Sequence, residues 1–553
     1  MNKVKCALSG ETFEVSDLEQ ELRAKFGFGA SLPMIKPKYR FRQLGSFWPH
    51  WNLHSRKCDR TGKPIISIFR PECEYPVWQR SVWLEENNPS QADFDFTQPF
   101  FDQAWALFKQ CPIPHRTGNK NENCEYTDDC WYSKNCYLAH SIYKSEDAQY
   151  CYRSLVRDSQ GSIFSINSEL CNDDINCYDC FDSKYVLNCR KVQNSAFLYD
   201  CRNCTDCMFC FNLRNKQYCF GNKQLTQSEY ETKIAAWNLS SQKSYTKAKK
   251  FFADMMTNLA FHRAQSIDKS EDCTGNYQSE NNKAENIYFS QQITDSVNAI
   301  RAYESSHYLD TIGCTIGERN YYSTTCQFST YDNFFSFACT ECQFIDYCAY
   351  CFQCENCFGC CGLVGKKYCI FNKPYSEDEY FALKDKIIAH MKQAGEWGQF
   401  FPGHFAPNPY NESWSSFYWP LSNSEQETLG FRTCEPLHRE PVKTAEITEI
   451  PDTVDELTEE RTEWLLQQIF WDESYRRPFQ ITKHDITFAK KLKVPLPHSF
   501  YMARIQENFR WLPFDGELRD GTCGKCQKSI QTSWPTKYDR RILCEACYLN
   551  LVA

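Results

Sequence analysis

The chain lacks an apolar run near the roughly 18 residues of a membrane-spanning helix. Its opening stretch, Met1 to Gly10, turns polar before a signal-peptide core could form. Positive charge is not in excess: 62 Lys and Arg stand against 70 Asp and Glu, a net charge of −8. No global basic field therefore draws the chain to nucleic acid. Also missing are a Gly-rich phosphate loop, an H-E-x-x-H pair and a nucleophile elbow. Cysteine and aromatic residues are what the chain has in quantity: 34 Cys, 41 Phe, 32 Tyr and 14 Trp in 553 residues. That length allows several domains, and the aromatics favour a large fold over disorder. In so long a chain without a secretory start, reduced thiols and metal thiolates are a better expectation than a disulfide framework. The expected location is cytoplasmic.

From Ser159 to Cys219 every third residue is small or apolar, with Asp174 and Lys216 the only breaks. Neither a helix nor an ordinary strand makes a step of three. A tight solenoid does, because each short coil sends one residue in three inward. The same step runs upstream from Cys124 to Ser154, slipping near Arg157. It reappears from Ala284 to Gly317, slips near Asp332, and continues from Ser336 to Cys360.

Two internal repeats organise the chain. At an offset of 150, Cys189, Cys201, Cys204, Cys207, Cys210 and Cys219 recur as Cys339, Cys351, Cys354, Cys357, Cys360 and Cys369. Each copy runs into a capping box, Thr226-x-x-Glu229 or Ser376-x-x-Glu379, that predicts a closing helix. At an offset of 465, Cys58, Lys63, Ile65, Ser67, Val77 and Trp83 align with Cys523, Lys528, Ile530, Thr532, Ile542 and Tyr548.

Cys523-x2-Cys526 and Cys544-x2-Cys547, 17 residues apart, have the two-knuckle spacing of a zinc ribbon. Four thiolates close the coordination shell, so the expected zinc is structural. In the N-terminal copy Thr61, Gln79 and Val82 stand where three ligands should be. That copy is expected to keep the fold without metal, through packing of residues such as Ile65, Phe69, Val77 and Trp83.

A twelve-residue coil accommodates the step of three, with coils about 4.8 Å apart. Its narrow core has space for small side chains, and free Cys behaves there as a small hydrophobe. Cys177, Cys180, Cys189, Cys201, Cys204, Cys207, Cys210, Cys339, Cys342, Cys348, Cys351, Cys354, Cys357 and Cys360 are therefore expected to line it. The pattern is similar to that of small insect antifreeze solenoids, in which cysteines six apart are bridged. Pairs such as Cys201/Cys207 could bridge in an oxidising compartment. A rival is an iron–sulfur or zinc site at Cys201–Cys210 and Cys351–Cys360, although the last gap and the missing Pro depart from the ferredoxin motif.

Between Lys36 and Lys63, Lys36, Lys38, Arg40, Arg42, Arg56, Lys57, Arg60 and Lys63 interleave with aromatics including Trp48 and Trp51. Such a segment can neutralise phosphates and stack on bases. The plainer alternative is a solvated face over an aromatic core.

Motifs spread along most of the chain resemble an uncharacterised family of Cys-rich zinc-ribbon proteins from candidate-phyla bacteria. They include Cys58-Asp59-x-x-Gly62-Lys63-x-Ile65-Ile66-Ser67, Phe94-Asp95-Phe96-x-x-Pro99-Phe100-Phe101, Asn212 to Tyr218, Phe371 to Ser376 and Cys544-Glu545-x-Cys547-Tyr548. The resemblance implies no activity. Family members carry further Cys-x-x-Cys pairs near the N-terminus, whereas Ser9, Lys36 and Tyr39 stand here beside Cys6.

The fold expected is mainly β with helices: duplicated Cys-lined β-solenoid bodies flanked by zinc-ribbon-like terminal modules. The expected segments are a degenerate ribbon module (1–86), a linker (87–122), solenoid 1 with its helix (123–236), a helical linker (237–271), solenoid 2 with its helix (272–397), an extended wrapping segment (398–460) and a C-terminal module with the ribbon (461–553). The function expected is a non-catalytic, zinc-containing binding or scaffold protein. Its partner would be macromolecular, with RNA or a ribonucleoprotein as candidates and no membrane span. The alternatives are a solenoid enzyme acting on a polymer such as a polysaccharide, with Asp128/Asp129 or Asp173/Asp174 as its carboxylates, and an iron–sulfur or thiol redox protein.

Overall fold

The computed structural model describes residues 2–25, 34–49, 52–290, 292–297, 338–435 and 441–553, with short stretches between 299 and 331. Strand and helix occupy comparable shares, so helix is more prominent than the mainly-β expectation. The chain forms two compact units, each assembled from separate stretches. One comprises 1–116, 265–434 and 514–519; the other comprises 117–264, 435–513 and 520–553.

In the second unit, from Gly118 to Phe220, successive turns pair in parallel with the residues twelve further on. Phe181 pairs with Gln193, Gln193 with Thr205 and Thr205 with Gln217. Tyr178, Arg190, Arg202 and Arg214 form a second such column of bridges. Backbone dihedrals explain the step of three. Every third residue from Lys120 to Arg153, and again from Asp158 to Tyr218, has positive φ. Each left-handed residue turns the chain, and the residue after it points inward. That conformation is strained for most L-residues and easiest for Gly, Asn and Asp. Asn and Asp fill many of these corners, and the Asn amides bond up the stack: Asn176 donates to Asn188 at 3.1 Å and Asn203 to Asn215 at 3.0 Å.

The inward side chains do more than fill space. The N–H of Cys207 donates to Ser195 Oγ at 3.0 Å, and that of Cys201 to Cys189 Sγ at 3.4 Å. Inward Sγ and Oγ atoms in turn donate to carbonyls two residues back and nine ahead. Cys210 reaches Met208 and Cys219 in this way, and Ser165 reaches Ile163 and Asp174. A small side chain that both accepts and donates satisfies backbone groups that the parallel ladder leaves over. Cys and Ser are therefore interchangeable along these columns. The slip expected near Arg157 is one turn of eleven: Glu146 pairs with Arg157 and Leu155 with Ile166, with an irregularity at Leu155/Val156.

The stack ends in a hairpin, Gln217–Phe220 with Lys223–Gln224, and the helix Gln227–Ala235 starts at Thr226 through a complete capping box. A longer helix, Gln242–Asn258, lies in the stretch expected as a helical linker. It buries Tyr245, Ala248, Phe252, Met255 and Met256. Phe252 and Tyr245 meet the corner aromatics Tyr185 and Phe197, which with Phe209 make a column.

The first unit contains the second copy. Gln343, Glu355 and Lys367 pair in parallel at the same spacing. Ser376 opens the helix Glu377–Ala394 with the second capping box, and Gly395 ends it at φ +72°. At Gly359, φ is +63° and a Cβ would stand 2.4 Å from the Phe371 ring. The first copy holds Phe209 at that point of the repeat. Here the space goes instead to Phe100, from the helix Phe100–Phe108, which touches Tyr347, Phe358 and Phe371. The stretch 87–122, expected as a linker, thus carries a packed aromatic helix. The helix lacks a side-chain cap of its own, and Glu396 accepts from the N–H groups of Phe100 and Phe101 at 2.8 and 3.0 Å instead. The stretch 398–434 is likewise built in: Phe401, Phe405, Trp414 and Trp419 are buried. The expected step of three at Ala302, Tyr308 and Cys314 and the slip near Asp332 lie outside the described residues, as does the side-chain environment of Cys339.

Candidate metal centre

The C-terminal cysteines sit on a two-stranded hairpin, Arg519–Thr522 with Ser529–Thr532, and at the start of the helix Glu545–Val552. The hairpin supplies Cys523 and Cys526 from a turn closed by the Gln527 N–H on the Cys523 carbonyl, with Gln527 at φ +61°. Cys544 caps the helix and Cys547 lies in its first turn, where N–H groups and the helix dipole favour a thiolate. The four Sγ atoms lie within 4.8 Å of one another, and those of Cys526 and Cys544 are 3.6 Å apart. Ligands about 2.3 Å from one tetrahedral ion stand at about this separation. Burial works against a thiolate at Cys523, yet the N–H groups of Cys526, Cys544 and Lys525 outweigh it and pull the thiol down to about 6. The thiols of Cys526, Cys544 and Cys523 push Cys547 up to about 12. Four sulfurs so close cannot all ionise without a cation between them, so the group could hold a metal ion, and it leaves no side open for substrate.

The site is held from outside. Ile542–Leu543 pairs in parallel with His262–Arg263, Thr532 Oγ1 donates to the Ala264 carbonyl at 2.9 Å, and Trp534 Nε1 donates to that of Arg263 at 3.2 Å. The N-terminal copy repeats the arrangement without the ligands. His54–Lys57 pairs with Pro64–Ser67, Val77–Trp78 with Ile113–Pro114, and Ser67 Oγ donates to the His115 carbonyl at 3.0 Å. Gly62, at φ +70°, takes the place of Gln527.

The expected core thiols are inside. Cys177, Cys180, Cys189, Cys201, Cys204, Cys207, Cys210, Cys342, Cys348, Cys351, Cys354, Cys357 and Cys360 are all buried in two clusters, one per copy. The described cysteines are free thiols. Among the described residues, neither Cys201–Cys210 nor Cys351–Cys360 gathers three sulfurs as a metal centre would.

The carboxylate pairs do not face an outer surface together, because Asp128, Asp129 and Asp174 are buried. Asp173 accepts from Asn508 at 2.8 Å and from Asn172 at 2.8 Å. A second cluster of metal-ligating type was not anticipated: Asp174 with Cys177 and Cys180, donor atoms within 4.8 Å. Its one signal in the sequence is that Asp174 interrupts the run of small and apolar residues.

The basic segment is largely neutralised. Lys36 pairs with Glu517 at 2.7 Å and Lys38 with Asp515 at 2.9 Å. Arg40 is fully buried against Glu19 at 2.8 Å. Arg56 pairs with Asp59 at 2.8 Å and Arg60 with Glu86 at 2.7 Å. Arg42 lies over the Tyr39 ring, and Trp48 is buried. Lys57 and Lys63 are exposed, and Trp51 lies outside the described residues. No helix among the described residues is long and apolar enough to cross a membrane. No family model, curated protein or solved structure matches the chain.

Proposed function

We propose that the protein is a non-catalytic scaffold: two β-solenoid bodies, a C-terminal zinc ribbon and a metal-free N-terminal ribbon, together presenting docking surfaces to a macromolecular partner. The observation that carries this reading is the closed group Cys523, Cys526, Cys544 and Cys547, whose four sulfurs leave no open coordination position. Zinc is the ion favoured, because a four-thiolate tetrahedron suits it and a structural role needs no redox chemistry. Stacked repeats offer long, flat outer faces suited to partner binding. Free, buried thiols support a reducing, cytoplasmic setting.

The partner is read as a protein rather than RNA. Five of the ten basic and aromatic residues first considered for phosphate contact already hold acidic partners. Buried carboxylates at Asp128, Asp129 and Asp174 give no support to a polysaccharide-cleaving site, and buried thiols give none to a redox one. Affinity capture with the full chain tests the reading. Partners retained after nuclease treatment are expected, with an unchanged ratio of absorbance at 260 and 280 nm. Capture that nuclease abolishes, and that Lys57→Ala/Arg60→Ala/Lys63→Ala weakens in an electrophoretic shift, would turn the reading to RNA.

A further inference from the structure

Cys171, Asp174, Cys177 and Cys180 are the four inward positions of a single twelve-residue turn. In the other turns of this stack from Ser159 on, these positions hold thiols, hydroxyls or aliphatic groups, apart from Lys216, which is exposed. Here one is a carboxylate with no exposure at all, approached by the Cys171 thiol and the Val186 N–H but with no well-formed hydrogen bond to either oxygen. Burying a carboxylate with so little hydrogen bonding is expensive unless it is protonated or faces a cation. The surroundings are not simply apolar. An Asp174 oxygen and the Sγ atoms of Cys177 and Cys180 lie within 4.8 Å of one another, and the Cys171 thiol adjoins the same carboxylate. The all-cysteine turns Cys201–Cys210 and Cys351–Cys360, identical in spacing, do not gather their donors in this way among the described residues. Convergence therefore follows the acid rather than the cysteine spacing.

We propose that this turn holds a second metal ion, a divalent cation of the zinc class, bound by Asp174, Cys177 and Cys180, the three residues whose donor atoms converge. Such a donor set is intermediate in softness, with two thiolates for a borderline-soft ion and one oxygen. Deep burial makes the ion structural, and it would enter while the stack closes. The thiols of Cys177 and Cys180, which donate to the Val186 and Tyr178 carbonyls at 3.3 and 3.6 Å, would give up those protons on binding.

The test is metal content per chain by elemental analysis, on full-length protein refolded with zinc and then desalted. Wild type should retain about two equivalents. Cys526→Ser/Cys547→Ser, which opens the terminal site, should retain about one. Asp174→Ser should also retain about one while keeping its circular dichroism, since Ser162 precedes Asp174 in the same column. If Asp174→Ser does not fold, Cys180→Val replaces it, because Val192 follows Cys180 in its column. Refolding with cobalt adds a spectroscopic readout. Thiolate-to-cobalt charge-transfer bands should persist in Cys526→Ser/Cys547→Ser and vanish when Asp174→Ser is added. Wild type with a single equivalent, or equal metal in wild type and Asp174→Ser, would overturn the site and leave Asp174 as a buried neutral acid.

Discussion

The N–H of Gln79 donates to Cys58 Sγ at 3.2 Å, the same bond that the N–H of Cys544 makes to Cys523 Sγ at 3.3 Å. In the terminal copy this bond belongs to a cluster of four sulfurs. In the other copy Cys58 stands alone, and Trp83 Nε1 donating to the Pro112 carbonyl at 2.9 Å anchors the helix beside it. The two hairpins should therefore differ in their response to chelation. Metal at four cysteines contributes about 10–16 kcal/mol of gross binding energy to folding. Hydrogen exchange with a strong chelator should show protection lost across 519–553 and retained across 54–85. Equal loss in both would mean that the terminal cysteines do not hold the ion.

Interchange of Cys and Ser along the inward columns makes a graded prediction. Cys207→Ser, whose N–H already rests on Ser195 Oγ, should cost about 1 kcal/mol, the size of one altered hydrogen bond. Cys207→Leu should cost about 1–3 kcal/mol through overpacking of a core with no slack. Chemical denaturation would check the order, and a Leu variant as stable as the Ser variant would contradict so narrow a core.

The corner positions predict a different order. Asn176 has φ +53° and donates to Asn188 at 3.1 Å. Asn176→Gly loses the bond but tolerates the backbone. Asn176→Val loses the bond and adds roughly 1–2 kcal/mol of left-handed strain. Thermal melts should therefore rank wild type above Gly above Val.

His262 is buried between the Tyr199 hydroxyl at 3.0 Å and the Met256 carbonyl at 2.9 Å, and burial pulls it down to about 4 from 6.5. Its folded value is depressed, so between pH 6.5 and 4 the unfolded chain binds the extra proton. Stability should be flat above about pH 6.5 and fall as pH drops toward 4, by on the order of 3 kcal/mol for this group. Melting temperature against pH should show that slope, and His262→Gln should reduce it, with His115 and His140, which burial also depresses, supplying the remainder.

Local signals in the chain were legible because their physics is local. Thr226/Glu229 and Ser376/Glu379 form capping boxes since each needs only a hydroxyl and a carboxylate three residues apart. The step of three was legible because a narrow turn admits only small inward residues, whatever surrounds it. Charge was not legible in the same way. Lys38 reads as a free cation until Asp515, 477 residues away, is brought beside it. Nor do neighbours in sequence reveal that the N-terminal stretch 1–116 clusters with 265–434 while the C-terminal stretch 520–553 clusters with 117–264.

The sequence by itself determined the turns, their corners and the four-cysteine knuckles, since each follows from the size, dihedral preference or spacing of residues within a dozen positions of one another. Tertiary structure alone decided which cations keep their charge for a partner, which aromatics are buried, and that the carboxylate of Asp174 meets sulfur rather than water. Those outcomes depend on desolvation and pairing, and both are set by which distant segments the fold brings into contact.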